Sequence, residues 1–384
     1  MMSSYQICSQ CIMDTSDPLI SFNENGICNH CEYFENSVKP AWSYYQNKKN
    51  DLSAVLDKVK RRKNSRSQYD CIVGISGGVD SSYLVYKLKA HDLINPLILH
   101  VDAGWNSELA IENINKVIDY TGFELETYVV DWEAMREVQL AFLRSGIANQ
   151  DVPQDHVFIA AMYKTARKYN INTILSGSNY ATESILPQAW GYDATDRDHL
   201  KAICKKYGGG NAYKRIPTLR FAEQLIINPF IRNIQTIAPL NSIEYSKKIA
   251  IKELESIGWR YYGGKHYESR WTHFFQSYYL PVKHGFDKRR AHLSSLVVAG
   301  EISRQDALIE LQKPLYAQAE IDRDITFISN KLKISPQQFV EFVTTTPITH
   351  YKDHNNWESS RNNFYGSLYP KAQALKTALK SLRS

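Results

Sequence analysis

The chain has 384 residues, 43% hydrophobic and 22% charged, the balance of an ordinary globular protein with room for one large domain plus additions or for two to three modules. The net charge of +6 suits an anionic small substrate such as a nucleotide or nucleotide-sugar, and it does not demand nucleic acid. No run is apolar for long enough to cross a membrane, and no basic segment followed by an apolar core marks a secretory leader, so a cytoplasmic protein with reduced or metal-bound cysteines is expected.

Four of the six cysteines fall near the start, as Cys8-x-x-Cys11 and Cys28-x-x-Cys31. This C-x2-C-x16-C-x2-C spacing is that of a structural zinc site, in which two close pairs supply four thiolates to one tetrahedral ion. The alternative is four free or disulfide-bonded thiols. A site closed by four sulfurs predicts a folding role and no chemistry at the metal. Asn25-Gly26, between the pairs, predicts a tight turn joining two short strands. Residues 33–66 are polar and aromatic, with Lys58, Lys60, Arg61, Arg62 and Lys63 clustered. That cluster reads as a solvated helix end and linker in preference to a nucleic-acid contact.

From residue 69 strand and helix patterns alternate. Apolar runs at 71–75, 97–101, 127–130 and 173–176 predict buried parallel strands. Ala110, Ile114, Val117 and Ile118 repeat at helical spacing, as do Ala160, Tyr163 and Ala166. The alternation predicts a doubly wound parallel α/β sheet, whose ligands sit beyond the carboxyl ends of the strands.

The first of these units carries the strongest signal. Cys71-Ile72-Val73 leads into Gly74-Ile75-Ser76-Gly77-Gly78-Val79-Asp80-Ser81-Ser82, and Leu84, Val85 and Leu88 continue as a helix. A strand, a glycine-rich turn and a helix make an anion site, because the amides of the first helical turn lack partners and the dipole favours negative charge there. Ser76, Ser81 and Ser82 add hydroxyls, and Asp80 is placed to hold a magnesium ion against phosphates. Neither G-x-x-x-x-G-K-[ST] nor G-x-G-x-x-G is present. The plainer reading is a glycine turn capping a helix.

Later stretches are read with two meanings each. Asp102, in His100-Val101-Asp102-Ala103-Gly104-Trp105-Asn106, is a ligand contact or a turn residue. In Asn149-Gln150-Asp151-Val152-Pro153-Gln154-Asp155-His156, Asp155 reads as a helix N-cap, and His156 is a donor to substrate or a buried structural histidine. In Ser176-Gly177-Ser178-Asn179-Tyr180-Ala181-Thr182-Glu183, small residues such as Gly177 let a ligand lie on the backbone, and Glu183 holds a metal, a sugar hydroxyl or nothing. Residues 186–236 read as an irregular insertion or oligomer contact. Gly263-Gly264 followed by Lys265, His266, Glu268 and Arg270 reads as a mobile anion-binding segment. A second basic group holds Lys283, His284, Lys288, Arg289 and Arg290 beside Asp287, and the tail from about 287 has helix composition.

SGGVDSS resembles the pyrophosphate-binding loop of the PP-loop ATP pyrophosphatases, a superfamily of the adenine nucleotide alpha hydrolase-like fold. With CSQCIMDT, HVDAGWNSE, DVPQDH, GSNYATE, GGKHYESRWTHFFQ, FDKRRAHLSS and SRQDAL, most of the chain resembles the WbpG- and PseA-like N-acetyl sugar amidotransferases of that superfamily. The resemblance implies a four-cysteine zinc module over 1–40, a PP-loop domain over 66–260, and a substrate-binding and helical region over 261–384. It implies ATP, Mg2+ and Zn2+, and a nucleotide-sugar substrate of bacterial surface-polysaccharide (lipopolysaccharide O-antigen) or nonulosonic-acid synthesis. In that reaction ATP adenylates an acetamido oxygen, pyrophosphate leaves, and ammonia displaces AMP to give an acetamidine.

Under the resemblance Ser76, Gly77, Gly78, Ser81 and Ser82 hold pyrophosphate, Asp80 holds magnesium, and Val101, Asp102 and Gly177 contact the nucleotide. Lys265 and Arg270 then touch phosphate or sugar. Cys71 falls in a strand and Cys204 in a Lys-rich segment without a glutaminase motif, so a separate subunit is expected to supply ammonia, one resembling the glutaminase–synthase pair of histidine biosynthesis. The rival is a PP-loop tRNA-modifying enzyme, a thiolase or a lysidine-synthetase-like protein. A thiolase wants further cysteines near the nucleotide loop. A non-catalytic nucleotide-binding protein is the third possibility, and the intact loop argues against it.

Overall fold

The computed structural model describes residues 5–42, 51–90, 94–191, 193–264 and 267–354. In chain order the main elements are α1 (Asn29–Tyr33), α2 (Leu52–Arg61), β1 (Cys71–Gly74), α3 (Val79–Lys89), β2 (Pro96–Asp102), α4 (Glu108–Thr121), β3 (Glu124–Val129) and α5 (Trp132–Ser145). They continue with α6 (Val152–Lys168), β4 (Thr173–Leu175), α7 (Tyr180–Glu183), α8 (Arg197–Lys206), β5 (Gln235–Ile237), α9 (Lys247–Glu255) and α10 (Arg270–Phe274), which runs on into the wider helical turns of Phe275–His284. The described C-terminal part is helical: α11 (Arg289–Ala299), α12 (Arg304–Leu311), α13 (Gln318–Leu332) and α14 (Pro336–Thr344).

All pairings in the five-stranded sheet are parallel, in the order β3-β2-β1-β4-β5. The order reverses at β1, whose neighbours are β2 and β4. The crevice beyond β1 and β4 is therefore the topological switch point where open α/β sheets bind ligands.

Strand residues alternate between faces. Cys71, Val73, Ile98 and Leu175 enter one core, shared with α3, α4 and α9. Ile72, Leu97, Leu99 and Ile174 enter a second core, shared with α5, α6 and α8. The first core also takes in Cys8, Cys11, Cys28 and Cys31, and Ala291 and Val298 of α11. The cysteine segment is thus packed into the main body. A third core joins Trp105 and Leu143 to Trp271, Ile328 and Phe339.

Three expectations are corrected. The run at 127–130 is not a buried strand: β3 begins at Glu124, forms the sheet edge, and leaves Val129 70% exposed. Residues 186–236 are not irregular throughout. They hold α8, the wide helical segment Glu223–Ile231 and the start of β5, and Trp190 is fully buried. Asn25-Gly26 does turn the chain, with the Gly26 amide donating to the Asn23 carbonyl at 2.9 Å and Gly26 at φ +72. However, single bridges, Ile7 with Asp14 and Phe22 with Cys28, replace the two strands. Among the described residues no helix is long and apolar enough to cross a membrane.

Candidate active site

The chain leaves β1 at Gly74 and turns through Ile75–Gly78 into α3. The turn needs a left-handed residue, and Gly77 supplies it at φ +82. A Cβ there would lie 2.5 Å from the Ala110 carbonyl oxygen, so α4 presses directly on the loop. The Trp259 indole donates to the Gly77 carbonyl at 3.2 Å from the other direction. The Gly78 amide donates to the Ser76 hydroxyl at 3.2 Å, and the Ser76 amide donates to the Ser81 hydroxyl at 3.2 Å. Gly78 caps α3 without a side chain, which leaves the first-turn amides to other partners. The Val79 amide donates to the Tyr262 hydroxyl at 2.9 Å. A Cβ on Gly177, in the loop after β4, would lie 3.0 Å from the Ser81 amide nitrogen, so the two loops touch backbone to backbone.

Between these loops lies a cleft of about 420 Å³, lined among others by Ser76, Gly78, Asp80, Ser81, Gly177 and Glu183. A size of this order suits a small organic ligand. The cleft is rich in carboxylates: Asp80, Asp155, Glu183 and Glu268, against Lys247. A divalent cation held by such carboxylates, and the amides at a helix N-terminus, are the groups that favour an anionic ligand in a cleft of this kind. Asp80 accepts a hydrogen bond from the Tyr245 hydroxyl. Burial, then the Asp80 charge, holds the Tyr245 hydroxyl well above the ordinary tyrosine range, so it stays a donor.

Sequence reasoning did not give Glu268 its place. The Ser107 amide donates to the Glu268 carbonyl at 2.9 Å, and Asn106 and Ser269 form an antiparallel bridge. The bridge carries the Glu268 carboxylate onto the loop, where the Ser76 hydroxyl donates to it at 3.3 Å. A Cβ on Gly78 would lie 2.7 Å from the same oxygen. Nothing in the local pattern of 263–270 signals that pairing.

The other expected site residues separate. Ser76, Gly78, Asp80, Ser81 and Gly177 line the cleft, and Gly77 shapes it from behind. Ser82 is fully buried, and its hydroxyl has no hydrogen-bond partner among the described residues. It sits three residues from both Val79 and Val85, on the inward face of α3. Val101 is buried in β2, and Asp102 accepts from the Gly104 amide at 2.8 Å and the Asn106 side chain at 3.3 Å, a turn residue's bonds. Arg270 donates to Asp324 at 2.5 Å and its guanidinium lies 3.9 Å from the Phe327 ring centre, which ties α10 to α13. Lys265 and His266 lie outside the described residues.

Asp155 is not the N-cap of α6, because Asp151 holds that position. The Asp151 carboxyl is buried beside Asp155, and burial, then the neighbouring charge, raises its pKa well above the usual range. His156 takes the structural role. Its Nδ1 donates to the Ala194 carbonyl at 2.7 Å, and its Nε2 accepts from the Leu219 amide at 3.1 Å. Burial lowers its pKa from 6.5 to about 4. A depressed histidine stabilises the fold above its unfolded pKa, and that contribution is lost as the pH falls through the folded value. His156 should therefore account for roughly 3 kcal/mol of the stability lost between pH 6.5 and 4, beside the buried His199 and His284 that are depressed in the same direction, and His156→Gln should make the fall in the urea midpoint shallower by that share.

The second basic group is mostly structural as well. Lys283 donates to the Phe342, Val343 and Thr346 carbonyls and so caps the end of α14. Arg289 pairs with Asp287 at 2.8 Å and donates to the Leu311 and Lys313 carbonyls at the end of α12. Lys288 does face cavities. One of about 600 Å³ is lined by Tyr261, Tyr267, Gln276, Lys288 and His292 among others, and it shares Thr182 and Lys247 with the first cleft. A further cavity of about 380 Å³ joins Ser76 and Glu268 to Gln276, Lys288 and His292.

The four N-terminal cysteines converge. Their sulfurs all lie within 4.8 Å of one another, and three edges measure 3.6, 3.7 and 3.8 Å. A tetrahedron of sulfurs about 2.3 Å from one ion has edges of about 3.8 Å. The separations are too long for disulfides, and all six cysteines are free thiols. Hydrogen bonding within the group splits the thiols: the bond with Cys11 draws Cys8 far down, and its own bond with Cys11 drives Cys31 far up. The site fits one ion, since a multi-iron cluster bound at its corners would spread the sulfurs apart. Cys71 and Cys204 lie elsewhere, both buried, and burial raises both thiols, Cys204 to about 12.

Residues 268–367 match the family model "LPS biosynthesis protein WbpG-like, C-terminal domain". Over that segment the chain is WbpG-like. No curated protein sequence matches the chain. Solved structures overlap it weakly. The NH3-dependent NAD synthetase of Campylobacter jejuni shares 16% identity at a TM-score of 0.28, covering 54% of this chain and 96% of that one. The U34-tRNA thiolase NcsA of Methanococcus maripaludis, solved with its [4Fe-4S] cluster, shares 14% at 0.32, covering 66% and 80%. The NMN synthetase of Francisella tularensis shares 14% at 0.28, covering 54% and 92%. At these scores the overlaps carry no inference about the reaction.

Proposed function

We propose that the protein is an ATP-dependent amidotransferase that converts an N-acetyl group of a nucleotide-linked sugar to an acetamidino group. The observation that carries this reading is the anion loop at the β1/β4 switch point, joined through Glu268 to the WbpG-like segment that begins there. The phosphates of ATP lie against Ser76, Gly78, Ser81 and the first amides of α3. Asp80 is the residue to hold Mg2+, which would offset the carboxylates of the cleft. The second cavity takes the sugar nucleotide, with Lys288, His292 and Gln276 facing the channel toward the loop.

The acetamido oxygen attacks the α-phosphorus, the bond to the bridging oxygen breaks, and pyrophosphate leaves. Ammonia then adds to the activated carbon, AMP departs with the former acetamido oxygen, and the nitrogen sheds a proton. The chain contributes position and charge neutralisation. The buried thiols of Cys71 and Cys204 suit neither a glutaminase nucleophile nor a sulfur carrier, which supports ammonia arriving from a separate glutaminase subunit. The cysteine centre holds Zn2+ in a folding role. The protein acts in surface-polysaccharide or nonulosonic-acid synthesis in the cytoplasm.

Mass spectrometry of nucleoside-diphosphate-linked N-acetyl sugars incubated with ATP, magnesium and ammonium tests the reading. The product should be lighter by about one mass unit, oxygen exchanged for NH. Glutamine alone should not replace ammonium. Unchanged sugars across such a panel, or turnover on glutamine by the isolated chain, would contradict it.

A further inference from the structure

We infer that the cysteine centre buttresses the second cavity and leaves the nucleotide loop to the sheet. In the part that concerns the acceptor this rests on the function proposed above. The link is α11, which presents three faces. Successive helical residues step by about 100°, so residues four apart share a face. Arg289, His292, Leu293 and Leu296 line the cavity. Ala291, Ser295 and Val298 are buried against the body, and the Ser295 hydroxyl accepts from the Ile185 amide at 3.0 Å. Arg290 and Ser294 form the third face, and both hold the cysteine segment. Arg290 donates to the Ile12 carbonyl at 2.9 Å and pairs with Asp14 at 3.0 Å, while the Ile12 amide donates to the Ser294 hydroxyl at 3.2 Å.

The next helix is tied to the same turn. Arg304, at the start of α12, donates to the Cys8 and Cys11 carbonyls, both at 2.9 Å. Asp306 and Glu310 of α12 line the cavity. Within the turn the amides of Cys11 and Cys28 donate to the Cys8 sulfur at 3.4 and 3.2 Å, which leaves the carbonyls facing outward. In this closed arrangement of the four sulfurs both carbonyls meet one guanidinium. The metal-bound turn therefore fixes the spacing of α11 and α12, two walls of the cavity. The direct contacts on the loop at Ser76–Ser81 come instead from α4, Trp259 and Tyr262, and the strands of the sheet support α3 in the core it shares with the cysteines.

The test follows amide hydrogen exchange in the full metal-loaded chain before and after chelation, which needs no knowledge of the reaction. Exchange across 289–299 and 304–311 should accelerate by about tenfold or more, while 79–89 and 108–121 stay within about twofold. Arg304→Ala, a milder change, should loosen the same two helices and weaken metal affinity by about tenfold. Unmoved exchange in both helices after chelation, or an even rise along the whole chain, overturns the inference. Loosening confined to α11 and α12 supports it even if no nucleoside-diphosphate-linked N-acetyl sugar binds the intact protein, an outcome that would remove only the acceptor reading.

Discussion

Gly77→Ala is expected to cut pyrophosphate formation by about 10²-fold, the scale that follows from displacing reacting groups by about an ångström. Two effects combine. Gly77 sits at φ +82, where a side chain is strained by about 1–2 kcal/mol. Its new Cβ would also stand 2.5 Å from the Ala110 carbonyl oxygen, and backbone of α4 cannot yield as a flexible side chain can. Relief requires the loop to move away from α4 and into the cleft that Ser76, Gly78 and Ser81 line. Gly122→Ala is the control. Gly122 has φ +68 but meets nothing within 4 Å, so the variant should lose about 1 kcal/mol of stability and keep its turnover. The check is pyrophosphate release at saturating ATP for both variants, with circular dichroism to confirm folding.

Cys28→Ser should abolish metal binding and lower stability more than any surface change. In isolated zinc-finger peptides such a site contributes on the order of 10 kcal/mol to folding, and in a segment already packed on a larger body only the part that holds α11 and α12 is expected to be lost. Here the four sulfurs join the core beside Ala291 and Val298 of α11, so loss of the ion is felt first in that helix. Metal content per chain should fall from one to none, and the melting temperature should drop and fail to respond to added zinc. Retention of one tightly bound ion by the variant would contradict the assignment of Cys28 as a ligand.

Short-range features were legible in the residues themselves. The loop between β1 and α3 is contiguous, and its strand, glycines and helix each follow from local preference. The two cysteine pairs could be grouped from their spacing alone, and their four sulfurs do lie within 4.8 Å of one another. The inward turn of Ser82 was missed, although its spacing from Val79 and Val85 on one helix face carried the signal.

Features that depend on distant pairing were not legible. Tyr245, Tyr262 and Glu268 reach the loop from far along the chain, and no period in their own segments predicts it. The bridge from Asn106 to Ser269 is what delivers Glu268. Charge alone could not assign the basic group at 283–290. A run of lysine and arginine looks like an anion site until the carbonyl ends of α12 and α14 are seen beside it. The edge position of β3 and the three residues of β5 gave too little apolar pattern to be placed.

The central claim is that the loop at Ser76–Ser81 grips the outer phosphates of ATP, so that AMP is passed to the acceptor. Phosphorus NMR of the wild-type protein turning over ATP with magnesium, ammonium and a nucleoside-diphosphate-linked N-acetyl sugar tests it most directly. The account predicts that AMP and pyrophosphate appear in equal amounts. Accumulation of ADP and inorganic phosphate would contradict it.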